Sequence, residues 1–282
     1  MKLEASQVAV VTGGASGIGR ALVEAFAARG LSVVGVDVEA SALDVMVSEV
    51  NGAGSGEAGA GRVAGQVIGR VVDVRDPEAL VALAADVMAT FGRVDVVCNN
   101  AGVITSRLPT WEQPHSDVQW TTEVNFYGVV NGVRAFVPHF IAAGQGHVVN
   151  TASVAGLSTI PGGGQAAYSA SKHAVVGLSE TLALELATVA PEVGVTVLCP
   201  GQVPTRIKDA ARNRPADRPE ADPERAKTAL PDFQLSMDRA TPEAVAAMVL
   251  AAIEERRFYL VTAPDAGQWA RTRAQSVIDG LS

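Results

Sequence analysis

Short apolar runs, each nearly unbroken, recur along the chain and are separated by longer stretches of helical periodicity. The runs are Val8–Thr12, Val33–Asp37, Val67–Asp73, Val94–Asn99, His147–Thr151, Thr196–Pro200 and Phe258–Val261. A strand with one face in water alternates apolar and polar positions. These runs do not, so both of their faces are expected to be covered. Such strands alternating with helices predict an α/β protein, a doubly wound parallel sheet of about seven strands with helices on both faces.

The intervals carry helix signals. Gly17–Arg29 follows the first strand, and Gly30 stands where a helix C-terminus favours glycine. Asp76-Pro77 and Thr241-Pro242 each place a capping side chain before a proline, starting helices over Glu78–Phe91 and Glu243–Glu255. Trp120–Ala143 and Tyr168–Ala190 predict two long helices against the sheet or a second subunit. Two segments break the rhythm. Asn51–Gly65, dominated by Gly and Ala, reads as a flexible surface insertion. Gln202–Arg239 is rich in proline and charge and too long for an ordinary connection, so a substrate lid is expected at about 202–240. No linker divides the chain. Residues 1–282 read as a single domain with a tail at about 263–282, for which a helix is expected.

Composition narrows the function classes. Hydrophobic residues make up 48% of the chain and charged residues 18%, enough apolar material for a large core. A formal net charge of −8 argues against non-specific nucleic-acid binding and against an anionic membrane surface. No apolar stretch reaches membrane-spanning length. The start, Met1-Lys2-Leu3-Glu4-Ala5, lacks the apolar centre of a signal peptide, and a cytoplasmic location is expected. The two cysteines, Cys98 and Cys199, each close an apolar run and read as buried free thiols. His115, His139, His147 and His173 show no metal-ligand spacing, and no metal is expected.

The first strand runs into Thr12-Gly13-Gly14-Ala15-Ser16-Gly17-Ile18-Gly19, which opens a helix. Glycines there allow a tight turn and close backbone approach to a pyrophosphate, whose charge rests on the helix N-terminus. The second strand ends on Asp37, 18 residues after Gly19. A carboxylate at that point accepts hydrogen bonds from ribose hydroxyls and repels a 2′-phosphate, so NAD is favoured over NADP. Val38 and Ser16, both uncharged, offer nothing to a 2′-phosphate. Asp73, followed by Val74, is expected to close the third strand beside the adenine. Asn99-Asn100-Ala101-Gly102 closes the fourth strand, where small residues and amides let backbone pass the nicotinamide ribose.

Tyr168 and Lys172 stand four residues apart, on one face of a predicted helix, with Ser153 upstream. A nearby ammonium favours the phenolate and so tunes a phenol toward acid–base use at neutral pH. His173, next to Lys172, is expected to point off that face.

Taken in order, Thr-Gly-x-x-x-Gly-x-Gly, Asn-Asn-Ala-Gly, Ser153, Tyr-x-x-x-Lys and Pro200-Gly201 resemble the short-chain dehydrogenase/reductase family, single-domain branch. The likeness is close from Gln7 to Pro200 and looser to Val261. It implies a Rossmann fold and hydride transfer between nicotinamide and a carbon bearing oxygen. By position, Tyr168 is implied as general acid/base. Lys172 is implied to lower the pKa of Tyr168 and to bind the nicotinamide ribose. Ser153 is implied to orient the substrate oxygen, and Asn125 to hold a proton-relay water. Pro200, Gly201, Val203 and Thr205 are implied beside the nicotinamide and its carboxamide. The substrate is then a small alcohol or carbonyl compound, contacted by Gln202–Arg239, the segment after Gly102 and Thr159–Gln165. Leu157, Ile160 and Leu230 would supply apolar wall. The chain departs from the family at its end, where Pro264 and a polar tail follow the last strand. A homodimer or homotetramer is implied, with the contact near the last strand in question. A non-catalytic NAD-binding sensor or scaffold and an NADPH-dependent carbonyl reductase stand as alternatives.

Overall fold

The structure, a computed structural model, describes residues 1–55, 65–219, 230, 240–263 and 266–281. Among these residues seven strands, β1 (Val8–Thr12), β2 (Ser32–Asp37), β3 (Val67–Val71), β4 (Val96–Asn99), β5 (Gly146–Thr151), β6 (Val193–Cys199) and β7 (Tyr259–Val261), form one sheet. All neighbouring strands are parallel, in the order β3-β2-β1-β4-β5-β6-β7. The helices are α1 (Gly17–Ala28), α2 (Ala40–Ser55), α3 (Pro77–Phe91), α4 (His115–Thr122), α5 (Gly128–Ala143), α6 (Ala166–Val189), α7 (Pro242–Glu255) and α8 (Ala266–Asp279).

The unbroken apolar strands are explained by two cores, one on each face. Ala9 and Val11 of β1 pack with Phe26 of α1, Met46 of α2 and Val249 of α7. Val8 and Val10 point the other way, into a core with Leu80 of α3, Phe136 of α5 and Leu182 of α6. Successive side chains leave a strand on opposite faces, so each face needs its own apolar residue. The chain reverses its winding between β1 and β4. Sites in such folds lie beyond the carboxyl ends of the strands at that reversal.

Several expected boundaries move. β3 ends at Val71, two residues before Asp73, and β6 begins at Val193, three residues earlier than read. α2 extends to Ser55, so the expected insertion begins as helix; residues 56–64 lie outside the described residues, as does most of 220–239 in the expected lid. The expected helix Trp120–Ala143 is interrupted. Between α4 and α5 the residues Glu123–Tyr127 form a turn of π-helix. Such bulges occur frequently at functional sites. The tail is helical over Ala266–Asp279. No helix among the described residues is long and apolar enough to cross a membrane.

Candidate active site

The turn after β1 is held by its neighbours. Gly13 (φ +65°) and Gly17 (φ +55°) occupy the left-handed region that glycine adopts without strain. A Cβ on Gly19 would lie 2.0 Å from the Gly13 carbonyl oxygen, so this position has no room for a side chain. The backbone N–H of Gly14 donates to the Val36 carbonyl (2.9 Å), and that of Ala15 to Asp37 Oδ2 (3.0 Å). Asp37 is therefore buried at the end of β2 and braces the turn. Thr12 was not singled out from sequence, yet its Oγ1 accepts from the N–H groups of Asn100 (2.9 Å) and Ala101 (3.0 Å). The Asn100 amide in turn donates to the Thr12 carbonyl (3.0 Å).

A cleft of about 820 Å³ opens above this turn. Among the residues expected to bind a cofactor, it is lined by Gly13, Ser16, Gly17, Ile18, Asp37, Val38, Asp73, Val74, Asn100, Ala101, Gly102, Pro200, Gly201, Val203 and Thr205. Ala15 and Gly19 are buried and do not line it. Asn99 departs from the expectation. Its buried amide turns away from the cleft and donates to Asn150 Oδ1 (2.9 Å), tying β4 to β5. Asp73 lines the cleft but closes no strand, and its carboxylate holds Arg75 through Oδ2 (2.7 Å).

Ser153, Tyr168 and Lys172 line the same cleft. Ser153 caps a short turn, Val154–Gly156, its hydroxyl accepting from the Ala155 N–H (3.1 Å). Tyr168 lies in the first turn of α6, after Gly162, Gly163, Gly164 and Gln165, all four with positive φ. Three glycines tolerate that run at little cost; Gln165 pays the penalty of a left-handed non-glycine residue. Lys172 is buried and donates from Nζ to the Thr151 carbonyl (2.8 Å), 5.8 Å from the centre of the Tyr168 ring.

The electrostatics differ from the sequence expectation. Tyr168 keeps part of its surface open to the cleft, yet desolvation of its hydroxyl raises its pKa, and a hydrogen bond with Ser153 pulls the other way. Burial, rather than the Lys172 charge, sets the direction. Burial brings Lys172 itself down to about 8. The unfolded lysine holds its proton up to about 10.5 and the native one only to about 8, so native stability rises with pH across that window. Lys172→Met removes this dependence. The melting temperature of the native chain should therefore gain on that of the variant between about pH 8 and pH 10.5. Parallel curves in circular-dichroism melts would contradict the assignment.

Asn125 does not line the cleft. It is fully buried in the π-turn, with Oδ1 accepting from the Val103 N–H (2.8 Å) and Nδ2 donating to the Val103 carbonyl (2.9 Å). This clamps the segment after β4 beside Lys172. A Cβ on Gly102 would stand 3.4 Å from Asn125 Oδ1 and 3.5 Å from Lys172 Nζ. His173 turns to the Ser169 carbonyl, off the cleft.

On the substrate side the wall is Val103–Arg107, Ile160 and Gln165, joined by Trp120, which sequence reasoning missed. Leu157 does not contribute, because it packs against the Val129–Val175 cluster. Leu230 approaches Gly164.

The glycine cradle, the carboxylate at the end of β2 and the long cleft fit a dinucleotide. Comparison with known proteins agrees. The family model for short chain dehydrogenase matches residues 7–216. The chain belongs to the short-chain dehydrogenase family. It is 40% identical over 202 residues to 1-deoxy-11-beta-hydroxypentalenate dehydrogenase of Streptomyces exfoliatus, covering 71% of this chain and 68% of that one. It is 30% identical to C alpha-dehydrogenase of Sphingobium sp. (strain NBRC 103272 / SYK-6), covering 100% of this chain and 88% of the relative. A short chain dehydrogenase/reductase from Burkholderia phymatum, solved in complex with NAD, superposes with a TM-score of 0.86 at 37% identity, over 98% of this chain and 95% of the other. The chain is thus an NAD(P)-dependent oxidoreductase acting on alcohols or ketones, and these relatives lend nothing to the scaffold alternative.

Proposed function

We propose that the chain is an NAD-dependent dehydrogenase of secondary alcohols, with Tyr168 as general acid/base. One observation carries this reading: Ser153, Tyr168 and Lys172 share a cleft with the glycine turn and Asp37. Gly13, Ser16, Gly17 and Ile18 would seat the pyrophosphate at the start of α1, and Asp37 would take the ribose hydroxyls. Asp73 and Val74 would border the adenine. Asn100–Gly102, Lys172, Pro200, Gly201, Val203 and Thr205 would border the nicotinamide ribose and ring. A bound nicotinamide supplies the hydride acceptor or donor. Ser153 orients the substrate oxygen, and Tyr168 takes its proton in oxidation or returns one in reduction. Lys172 contributes a positive charge behind the phenol. Asn125 acts through Val103, keeping the wall beside Lys172 in place.

The apolar side chains of Val103, Ile104, Trp120 and Ile160 in the wall and the names of relatives, a hydroxypentalenate dehydrogenase and a 3beta-hydroxysteroid dehydrogenase, support a secondary alcohol as the substrate class. A panel of cyclic secondary alcohols and ketones, assayed by nicotinamide absorbance with NAD(H) and NADP(H), tests the reading. Turnover favouring NAD is expected, and turnover favouring NADP would overturn the cofactor choice.

The described residues are read as one catalytic unit, supported by the one sheet. A homodimer or homotetramer is favoured by exposed apolar side chains on α5 and α6, namely Ile141, Leu184 and Val189. Light scattering giving the 29.0 kDa mass of a single chain would refute it.

A further inference from the structure

The sequence placed uncharged residues, Val38 and Ser16, around the ribose end of the cleft. The fold brings two arginines there from far along the chain. Residues Arg206–Asn213 form a short 3-10 segment after β6 that reaches across to the end of β2. Arg212 donates from Nη2 (2.6 Å) and Nε (3.0 Å) to Glu39 Oε1. Asn213 donates to the same oxygen (2.9 Å), and Arg206 Nη1 stands 3.8 Å from Glu39 Oε2. The guanidinium of Arg212 is fixed from behind, because its Nη1 donates to the carbonyls of Arg206 (2.9 Å) and Asp209 (2.8 Å). Glu39 is tied in turn to the proposed ribose-binding carboxylate, its N–H donating to Asp37 Oδ1 (3.1 Å). Asp37, Val38, Glu39, Arg206, Arg212 and Asn213 all line the cleft.

A planar, pre-oriented guanidinium is the side chain best suited to a phosphate. Two guanidiniums stand against Glu39, two residues past Asp37. We propose that Glu39 is a second determinant of cofactor choice: it sequesters Arg212 and Arg206, and neutralising it frees them to bind the 2′-phosphate of NADP. This rests on the NAD preference proposed above and adds to it. Asp37 repels the extra phosphate directly, while Glu39 withholds the cations that would offset that repulsion.

The test is fluorescence titration of NADH and NADPH into the native chain, Glu39→Gln and the double variant Glu39→Gln/Arg212→Ala. The amide keeps the shape of the side chain and removes its charge. In Glu39→Gln the affinity ratio of NADPH to NADH should rise at least about tenfold, the scale of a hydrogen bond to a charged group. Adding Arg212→Ala should cancel that gain. A ratio in Glu39→Gln within about twofold of native, less than such a bond is worth, would overturn the inference. So would a gain that persists in the double variant, because loss of the Glu39 charge alone would then account for it. A native chain that binds NADPH more tightly than NADH would refute the NAD reading, whereas the inference is decided by the change between variants.

Discussion

Tyr168→Phe should lower turnover by about a thousandfold or more while leaving NADH binding nearly intact, since a positioned proton donor contributes roughly 10²–10⁴ in rate. The substitution deletes one oxygen and keeps the ring that lines the cleft. Ser153 and Lys172 keep their own contacts, to the Ala155 N–H and the Thr151 carbonyl. The phenol cannot be replaced by a neighbour. Lys172 donates into the protein backbone, and His173 faces the Ser169 carbonyl. Titration with NADH and steady-state assay of one accepted alcohol separate the two effects. A variant that binds NADH normally and still turns over at the native rate would remove Tyr168 from the chemistry.

Gly19→Ala should be nearly as damaging, through binding rather than chemistry. The added methyl would sit 2.0 Å from the Gly13 carbonyl oxygen and 2.7 Å from Asn100 Nδ2. Neither neighbour is free to move. Gly13 belongs to the left-handed turn, and the Asn100 amide holds the Thr12 carbonyl. Relief must therefore displace the cradle itself. Overpacking of this kind costs about 1–3 kcal/mol in stability. Affinity for NADH should fall on the order of 100-fold, which corresponds to about 2.7 kcal/mol. Gly52→Ala is the matching control, because its Cβ would meet nothing within 4 Å on an exposed helical turn. Equal NADH affinity in the two variants would contradict the close packing assigned to Gly19.

The residues that define the cleft were legible because their signals are local. A glycine turn between an apolar strand and a helix, a carboxylate ending the next strand, and Tyr-x-x-x-Lys each occupy a few consecutive positions. The direction Asn99 faces is also a local matter. Neighbouring residues at a strand end face opposite ways, so Asn100 and Asn99 cannot both face the cleft. The π-turn had no such signal. It depends on the Asn125 amide meeting both backbone groups of Val103, 22 residues away. The clasp on Glu39 is more distant still, with Arg212 lying 173 residues along the chain. The direction of the Tyr168 shift is set at long range in the same way. Helical spacing announces a cation nearby, but burial, which depends on the whole fold, outweighs it.

The central claim is hydride transfer between nicotinamide and a carbinol carbon in this cleft. It is tested most directly by following the transferred atom. The native chain, given NADH deuterated at C4 on either face in turn, should reduce an accepted ketone with one of the two cofactors to an alcohol carrying a single deuterium at the carbinol carbon, read by mass spectrometry. The Tyr168→Phe variant should form almost none. Product alcohol without deuterium from either labelled cofactor would contradict the account.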